Sequence, residues 1–183
     1  YWGSVSECLN GVEVGRSHYV VGSIEAGAGN LRIVNLGEGE FGFVVSAQAS
    51  PDGSLFTVEK AKKTTQSTGR LYDSLYARHW DAWTTKEWNA LWYGKISRSG
   101  KEAKWTMSSL TNALKDTGLA CPIEPFGGTD NFDLYAGGVI FVAKDPQLNP
   151  ALNTRCNVYL TKIQDWTGKG EKQQKLWEVK IPG

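Results

Sequence analysis

Short apolar runs separated by turn-forming residues constrain the fold of this chain more than any other feature of its sequence. The runs are rich in β-branched and aromatic residues and are bounded by Gly, Asn, Asp and Ser, a pattern typical of β-strands. Helical signals are limited to 83–88 and 108–116 and are short. We therefore predict an all-β fold. The predicted strands are 18–24, 31–34, 41–47, 55–58, 90–96, 139–143, 157–163 and 175–181.

The composition excludes several classes of protein. Hydrophobic residues make up 40% of the chain and charged residues 21%, which is typical of a soluble globular protein rather than a disordered one. The apolar runs are too short to span a membrane. Because 20 basic residues are balanced by 19 acidic ones, the chain lacks the positive field that binds nucleic acid or anionic membranes.

A repeated turn suggests a repeat architecture. The Ser-Pro-Asp-Gly sequence at 50–53 precedes strand 55–58, and a looser Ala-Gly-Gly version at 136–138 precedes strand 139–143. The two lie about 85 residues apart, close to twice the length of a four-stranded propeller blade of about 40 to 45 residues. The pattern predicts a partial β-propeller of roughly four blades. A β-sandwich or an irregular β domain would contain the same turn, so both remain alternatives.

The sequence offers no recognisable metal or cofactor site. Its three cysteines, Cys8, Cys121 and Cys156, have no spacing suited to zinc. Three aspartates in the C-terminal half could suggest a calcium site, but they do not form the D-x-[DN]-x-[DN]-G loop of one. We expect turn and capping roles for them, and no cofactor or metal. The acidic residues considered are Asp130, Asp133 and Asp145.

Four segments, one with Arg78-His79-Trp80-Asp81 at its core, resemble a known family in the same order along the chain. The family is the dipeptidyl-peptidase V branch of the prolyl oligopeptidase serine peptidases, and the clear resemblance covers residues 69–163. The segments are 71–83 continuing to 89–94, then 112–118, 125–133 and 142–150.

The resemblance implies a fold and a separation of catalysis and substrate access between two domains. Members combine an N-terminal β-propeller with a C-terminal α/β-hydrolase domain that carries a nucleophilic Ser, an Asp and a His. This chain resembles only the propeller, so residues 1–183 are expected to be a propeller portion without the catalytic domain. No G-x-S-x-G elbow occurs, and neither His18 nor His79 follows such a serine. We expect no peptidase activity from this chain alone.

The expected role is therefore to gate and position peptides for a separate hydrolase domain of the same secreted, fungal type of peptidase. The partners implied are that missing domain and the peptide substrate. The candidate substrate-binding or domain-interface residues are Arg78, His79, Trp80 and Asp81. On a strand, Arg78 and Trp80 would point to one face and His79 and Asp81 to the other. An internal ion pair with an aromatic plug is the structural alternative.

A disulfide between Cys121 and Cys156 follows from the resemblance, because relatives carry Cys at both positions. Closing a loop of roughly 35 residues would contribute about 3 to 4 kcal/mol. Two buried free thiols are the alternative. Cys8 would then pair with a residue beyond this chain or stay free.

The tryptophans leave a second function open. Of the eight in the chain, several are close together at Trp80, Trp83, Trp88 and Trp92. Such rings pack between blades or stack on sugars. The alternative to the peptidase portion is therefore a self-contained, secreted β module that binds a glycan or a protein.

Overall fold

The computed structural model describes residues 2–3, 18–21, 24–27, 30–57, 69, 71–72, 77–99, 104–135, 137–163, 166 and 176–179. These residues form β-strands, turns and a 3-10 helix at Thr129–Asn131. The all-β prediction is confirmed for them. The strands are β1 (Trp2–Gly3), β2 (His18–Val21), β3 (Ile24–Gly27), β4 (Leu31–Gly37), β5 (Glu40–Ala49), β6 (Arg78–His79), β7 (Ala82–Trp83), β8 (Trp88–Ser99), β9 (Lys104–Met107), β10 (Thr111–Asn112), β11 (Phe132–Tyr135), β12 (Gly138–Lys144), β13 (Cys156–Lys162) and β14 (Leu176–Val179).

No helix within those ranges has the length and apolar character needed to cross a membrane.

The largest sheet is built around the antiparallel pair of β5 and β8. Their register runs without interruption from Glu40 opposite Ser97 to Ala49 opposite Trp88. β4 pairs with β5, and β9 and β10 pair with different parts of β8. The two long strands therefore form the centre of this sheet.

Both faces of this sheet are covered. Phe43, Val44 and Val45 are consecutive in β5, and all three are completely buried. Consecutive strand residues point to opposite faces, so a fully buried run requires packing on both sides. Val44 packs with Leu91 in one core cluster, whereas Phe43 and Val45 belong to a second one.

The second large sheet consists of β11, β12, β13 and β14 in the order of the chain, each antiparallel to the next. Its buried residues Phe132, Val139, Phe141 and Tyr159 share one core cluster with Val44 of β5. This meander therefore packs on one face of the β5–β8 sheet.

Arg32 of β4 joins the two sheets. Its Nη2 donates a hydrogen bond to the carbonyl oxygen of Thr129 at 2.8 Å, and its Nε lies 3.6 Å from Oδ1 of Asp133. The guanidinium also lies 5.1 Å from the ring centroid of Phe132. Asp133 is largely exposed, so we attribute more of the attachment to the hydrogen bond and the ring than to the ion pair.

Trp166 covers the middle of the β5–β8 ladder. The indole is buried, its Nε1 donates to the carbonyl oxygen of Gly94 at 3.3 Å, and its ring lies edge-on to Tyr93. A methyl group at Gly42 would lie 2.5 Å from the indole ring. Glycine is therefore required there by the close approach of the ring.

All but one of the predicted strands coincide with or overlap observed strands. The exception is 55–58, where Leu55 forms an isolated bridge to Ala49 and residue 58 lies outside the described ranges. The turn itself is confirmed, with Gly53 N–H donating to the Ser50 carbonyl at 2.8 Å. The returning segment reaches only the last residues of β5, beyond the part that pairs with β4.

The helical signals are also accounted for by strands and turns. Residues 83–88 run from the end of β7 to the start of β8, and 108–116 contain β10 followed by turns. The described residues form four separate sheets rather than a closed ring. The predicted number of blades is therefore not confirmed.

The predicted Cys121–Cys156 disulfide is not confirmed, since the structure has both thiols free. Cys121 is completely buried in a core cluster, whereas Cys156 is exposed at the start of β13. Each sulfur lies near a different backbone carbonyl, that of Asn131 or that of Thr154. Burial raises the pKa of the Cys121 thiol to about 12, which keeps it protonated and unreactive. Cys8 lies outside the described residues.

The contact between Gly42 and Trp166 gives a stability prediction. Gly42→Ala should lower the free energy of unfolding by roughly 1–3 kcal/mol, because the methyl group overpacks a buried ring. Chemical denaturation of the variant and the parent chain measures the difference. Gln48→Ala, at an exposed position of the same strand, is the control and should change stability little. Equal stability of Gly42→Ala and Gln48→Ala would contradict the packing described.

Candidate functional site

A cavity of about 580 Å³ lies where β5 ends and β8 begins. Its wall includes residues of the β6–β7 hairpin and of the loops around 118–125 and 144–150. The lining residues are Gln48, His79, Ala82, Trp83, Thr84, Thr85, Glu87, Asn89, Gly118, Ala120, Ile123, Glu124, Pro125, Lys144, Asp145, Pro146, Leu148 and Pro150.

The Arg78–Asp81 segment forms a hairpin rather than a continuous strand. β6 and β7 pair as Arg78 opposite Trp83 and His79 opposite Ala82, and Trp80 has φ of 54°. A positive φ is unusual for a bulky residue and turns the chain sharply. The predicted alternation of four side chains along one strand is therefore wrong, because the chain reverses at Trp80 and Asp81.

The hairpin separates the four candidate residues. His79 is half-buried and lines the cavity. The Arg78 guanidinium lies 5.3 Å from the ring centroid of Trp83. Trp80 and Asp81 are exposed at the turn. The described residues contain no ion pair between Arg78 and Asp81, so the predicted internal pair is not present.

The tryptophan cluster divides into core and surface members. Trp92 is only 4% exposed and Trp88 packs against the core. Trp80 is 82% exposed and Trp83 is 51% exposed. Of the two exposed rings, the Trp83 ring lines the cavity. The Trp80 ring lies outside the cavity, at the tip of the hairpin.

The loop at 121–131 supplies residues that the sequence did not nominate. Phe126 is 58% exposed, and its ring centroid lies 5.3 Å from that of His79 and 6.1 Å from that of Trp80. The loop therefore contacts the hairpin through an aromatic side chain. The Gly-Gly pair at 127–128 is a sequence signal that could have indicated a tight turn here.

Hydrogen bonds fix the shape of this loop. Gly127 N–H donates to the Ile123 carbonyl at 2.5 Å, and Ile123 N–H donates to Oδ1 of Asn131 at 3.0 Å. A methyl group at Gly127 would collide with backbone atoms of Ile123 and with Asn131. The turn therefore closes too tightly to admit a larger residue at Gly127.

Glu124 connects the loop to the start of β8. Its Oε1 accepts a hydrogen bond from the Asn89 N–H at 2.5 Å, and the Asn89 side-chain amide donates to the Pro122 carbonyl at 3.1 Å. Burial raises the pKa of Glu124, although the bond from Asn89 and the charge of Lys144 oppose the shift. The cavity thus contains a carboxyl group held by backbone contacts.

The cavity has the character of a binding site. Exposed aromatic surface, amide groups and charged groups converge on it, as is common where proteins bind small molecules or peptide segments. Among the described residues, its lining contains neither serine nor cysteine; its hydroxyl groups come from Thr84 and Thr85.

The described residues contain no cluster of His, Cys, Asp or Glu that could hold a metal ion. Two of the acidic residues considered for calcium have structural roles. Asp133 faces Arg32, and Oδ1 of Asp145 accepts a hydrogen bond from the Gln147 N–H at 3.0 Å. The predicted turn role is confirmed for Asp145.

Comparison with known proteins relates the chain to peptidases. It is 42% identical over 96 residues to dipeptidyl-peptidase 5 of Schizosaccharomyces pombe, which is 51% of this chain and 14% of that protein. It is 33% identical over 151 residues to the probable dipeptidyl-peptidase 5 of Aspergillus niger, covering 79% of this chain and 21% of the relative. It is 33% identical over 146 residues to dipeptidyl-peptidase 5 of Aspergillus fumigatus, covering 78% of this chain and 20% of that protein.

These matches confirm the predicted sequence relationship to dipeptidyl-peptidase 5 proteins. The chain spans at most 21% of the length of these curated relatives. No known family profile matches the chain. No solved structure matches it.

The environment of Glu124 gives a pH-dependent prediction. Because its folded-state pKa is raised, the folded chain holds this proton more tightly than the unfolded chain. The stabilisation of the folded state by this tighter proton binding is present below the ordinary pKa of 4.5 and is lost as the pH rises through the folded-state pKa. Glu124→Gln keeps an oxygen for the Asn89 N–H and carries no charge. Its unfolding free energy relative to the parent chain should increase between about pH 4 and about pH 7.

Glu124→Leu is the matched variant for the hydrogen bond. It leaves the Asn89 N–H without its acceptor and should lower the unfolding free energy by about 1–3 kcal/mol. Denaturation of both variants and the parent across this pH range measures the two effects. A relative stability of Glu124→Gln that falls with rising pH would show that the carboxylate charge stabilises the fold.

Proposed function

We propose that this chain is a non-catalytic portion of a dipeptidyl peptidase and that it positions peptides at the cavity beside Trp83. The sequence relationship to dipeptidyl-peptidase 5 carries the proposal, because it extends over 79% of the chain in the Aspergillus niger protein. The acyl transfer would occur on a separate hydrolase domain with a nucleophilic Ser, an Asp and a His.

The lining of the cavity supports peptide binding. Trp83 offers an aromatic surface, and Asn89 and Gln48 offer amide groups for a peptide backbone. Peptide recognition commonly combines such aromatic contacts with hydrogen bonds to the main chain. The proposal assigns cleavage to the separate hydrolase domain, because this chain lacks the G-x-S-x-G elbow that raises a nucleophilic serine.

The arrangement of the second sheet supports the propeller part of the proposal. β11, β12, β13 and β14 form a four-stranded antiparallel meander in chain order, which is the arrangement of a propeller blade. We propose that this meander and the β5–β8 sheet are blades of a propeller in the larger peptidase. A propeller face would restrict access to the hydrolase domain, which is the gating role expected from the resemblance.

Secretion is part of the same proposal. It rests on the resemblance to the secreted fungal branch of the prolyl oligopeptidase family. The free thiols of Cys121 and Cys156 add no support to it.

A glycan-binding function is the second candidate. The two exposed rings, Trp80 and Trp83, lie at or beside a cavity with amide, hydroxyl and carboxyl groups. Sugars stack on such rings and use such polar groups. Trp92 is buried and Trp88 packs against the core, so the other two tryptophans of the cluster are less available for this role.

Binding measurements on the purified chain distinguish the two functions. We expect tetra-alanine with a free amino group to bind and a cello-oligosaccharide not to bind in isothermal titration calorimetry. Trp83→Ala should weaken tetra-alanine binding by about twofold to tenfold, because the loss of one ring contact is expected to cost about 0.5–1.5 kcal/mol. Binding of the oligosaccharide alone would overturn the peptidase reading and favour the glycan module.

Met107→Ala is the control for this experiment. Met107 is also a partly exposed apolar residue, but it lies in β9 and does not line the cavity. Its replacement should leave the affinity unchanged. Equal losses in Trp83→Ala and Met107→Ala would show that the cavity is not the binding site.

A further inference from the structure

The β6–β7 hairpin forms a sheet of its own among the described residues. Two residue pairs join its strands, and Thr84 N–H donates to the Ala77 carbonyl at 2.9 Å. A hairpin this short is marginally stable without packing against other elements. Its position therefore depends on side-chain contacts with its surroundings.

Phe126 supplies two of those contacts from the neighbouring loop. Its ring meets His79 edge-on at 5.3 Å and Trp80 edge-on at 6.1 Å. A further ring contact joins the hairpin to Tyr72, which stacks on Trp83 at 6.0 Å. The ring of Phe126 is itself more than half exposed, so this attachment lies at the surface rather than in the core.

The hairpin is also one wall of the cavity. His79, Ala82 and Trp83 line it, and other walls come from loops that hydrogen bonds fix to β8, such as that of Glu124 to Asn89. A displacement of the hairpin would therefore widen or narrow the cavity while the β5–β8 sheet stays in place. Trp80, 82% exposed at the tip, would lose exposure if the hairpin folded onto a ligand.

We propose that hairpin 78–83 is a flap over the cavity and that Phe126 holds it in its resting position. Short surface elements of low local stability commonly act in this way at binding sites. The identity of the ligand rests on the proposed function, which makes it a peptide. The flap opens to admit this peptide and closes on it. The attachment through Phe126 does not depend on the ligand.

Hydrogen–deuterium exchange of the purified chain tests the attachment without any ligand. Phe126→Ala removes both ring contacts and should speed exchange in residues 77–84 by about fivefold to a hundredfold. Exchange in β5 and β8 should stay unchanged. Phe126→Tyr keeps the ring and should exchange like the parent chain. Unchanged exchange in residues 77–84 of Phe126→Ala would overturn the proposal, as would equally slow exchange of the hairpin and β8 in the parent.

The same measurement with saturating tetra-alanine tests closure on the ligand. We expect exchange in residues 77–84 of the parent chain to slow at least about threefold, in keeping with local ordering on binding. Peptide binding that leaves the hairpin unchanged would overturn the flap. If tetra-alanine does not bind at all, the proposed function fails, whereas the exchange of Phe126→Ala without ligand still decides whether Phe126 holds the hairpin.

Discussion

The pairing of β5 with β8 is the contact on which the rest of the described structure depends. The ladder is continuous, and residues on both of its faces are buried. Trp166 and the β11–β14 meander cover the face that carries Val44, and a second core cluster covers the face that carries Phe43 and Val45. Because packing on both sides fixes this ladder, its end is a rigid platform on which a binding site can be built.

The candidate site contacts the end of this ladder at one residue of β8. Asn89 is the second residue of β8. Its N–H donates a hydrogen bond to the Glu124 carboxylate, and its side-chain amide donates one to the Pro122 carbonyl. The loop held in this way carries Phe126 to the hairpin. A ladder buried on both faces, a hydrogen-bonded loop and a hairpin held by surface ring contacts thus surround one cavity. Under the proposed flap, the hairpin would admit a ligand and the ladder and loop would position it.

The sequence predicted the strands well where burial determines them and the site less well. β5, β8 and β12 are apolar because other layers cover them, and that pattern is visible in the sequence.

The reversal of the chain at Trp80 was not visible in the sequence, because sequence rules assign positive φ to Gly or Asn rather than to tryptophan. Glu124 and Phe126 were missed because their partners, Asn89 and His79, are far away in the sequence. The disulfide is not confirmed, because matching cysteine positions do not show that one thiol is in the core and the other at the surface.

The most direct test of the central claim is an NMR titration of the isotope-labelled chain with tetra-alanine, in which the peptide's own signals are followed in the same tube. The account predicts shift changes at the Trp83 indole and the Asn89 amide, small changes in β13, and intact peptide at the end of the titration. Accumulation of cleaved peptide would contradict a non-catalytic role. Shift changes confined to residues outside the cavity would contradict the positioning role.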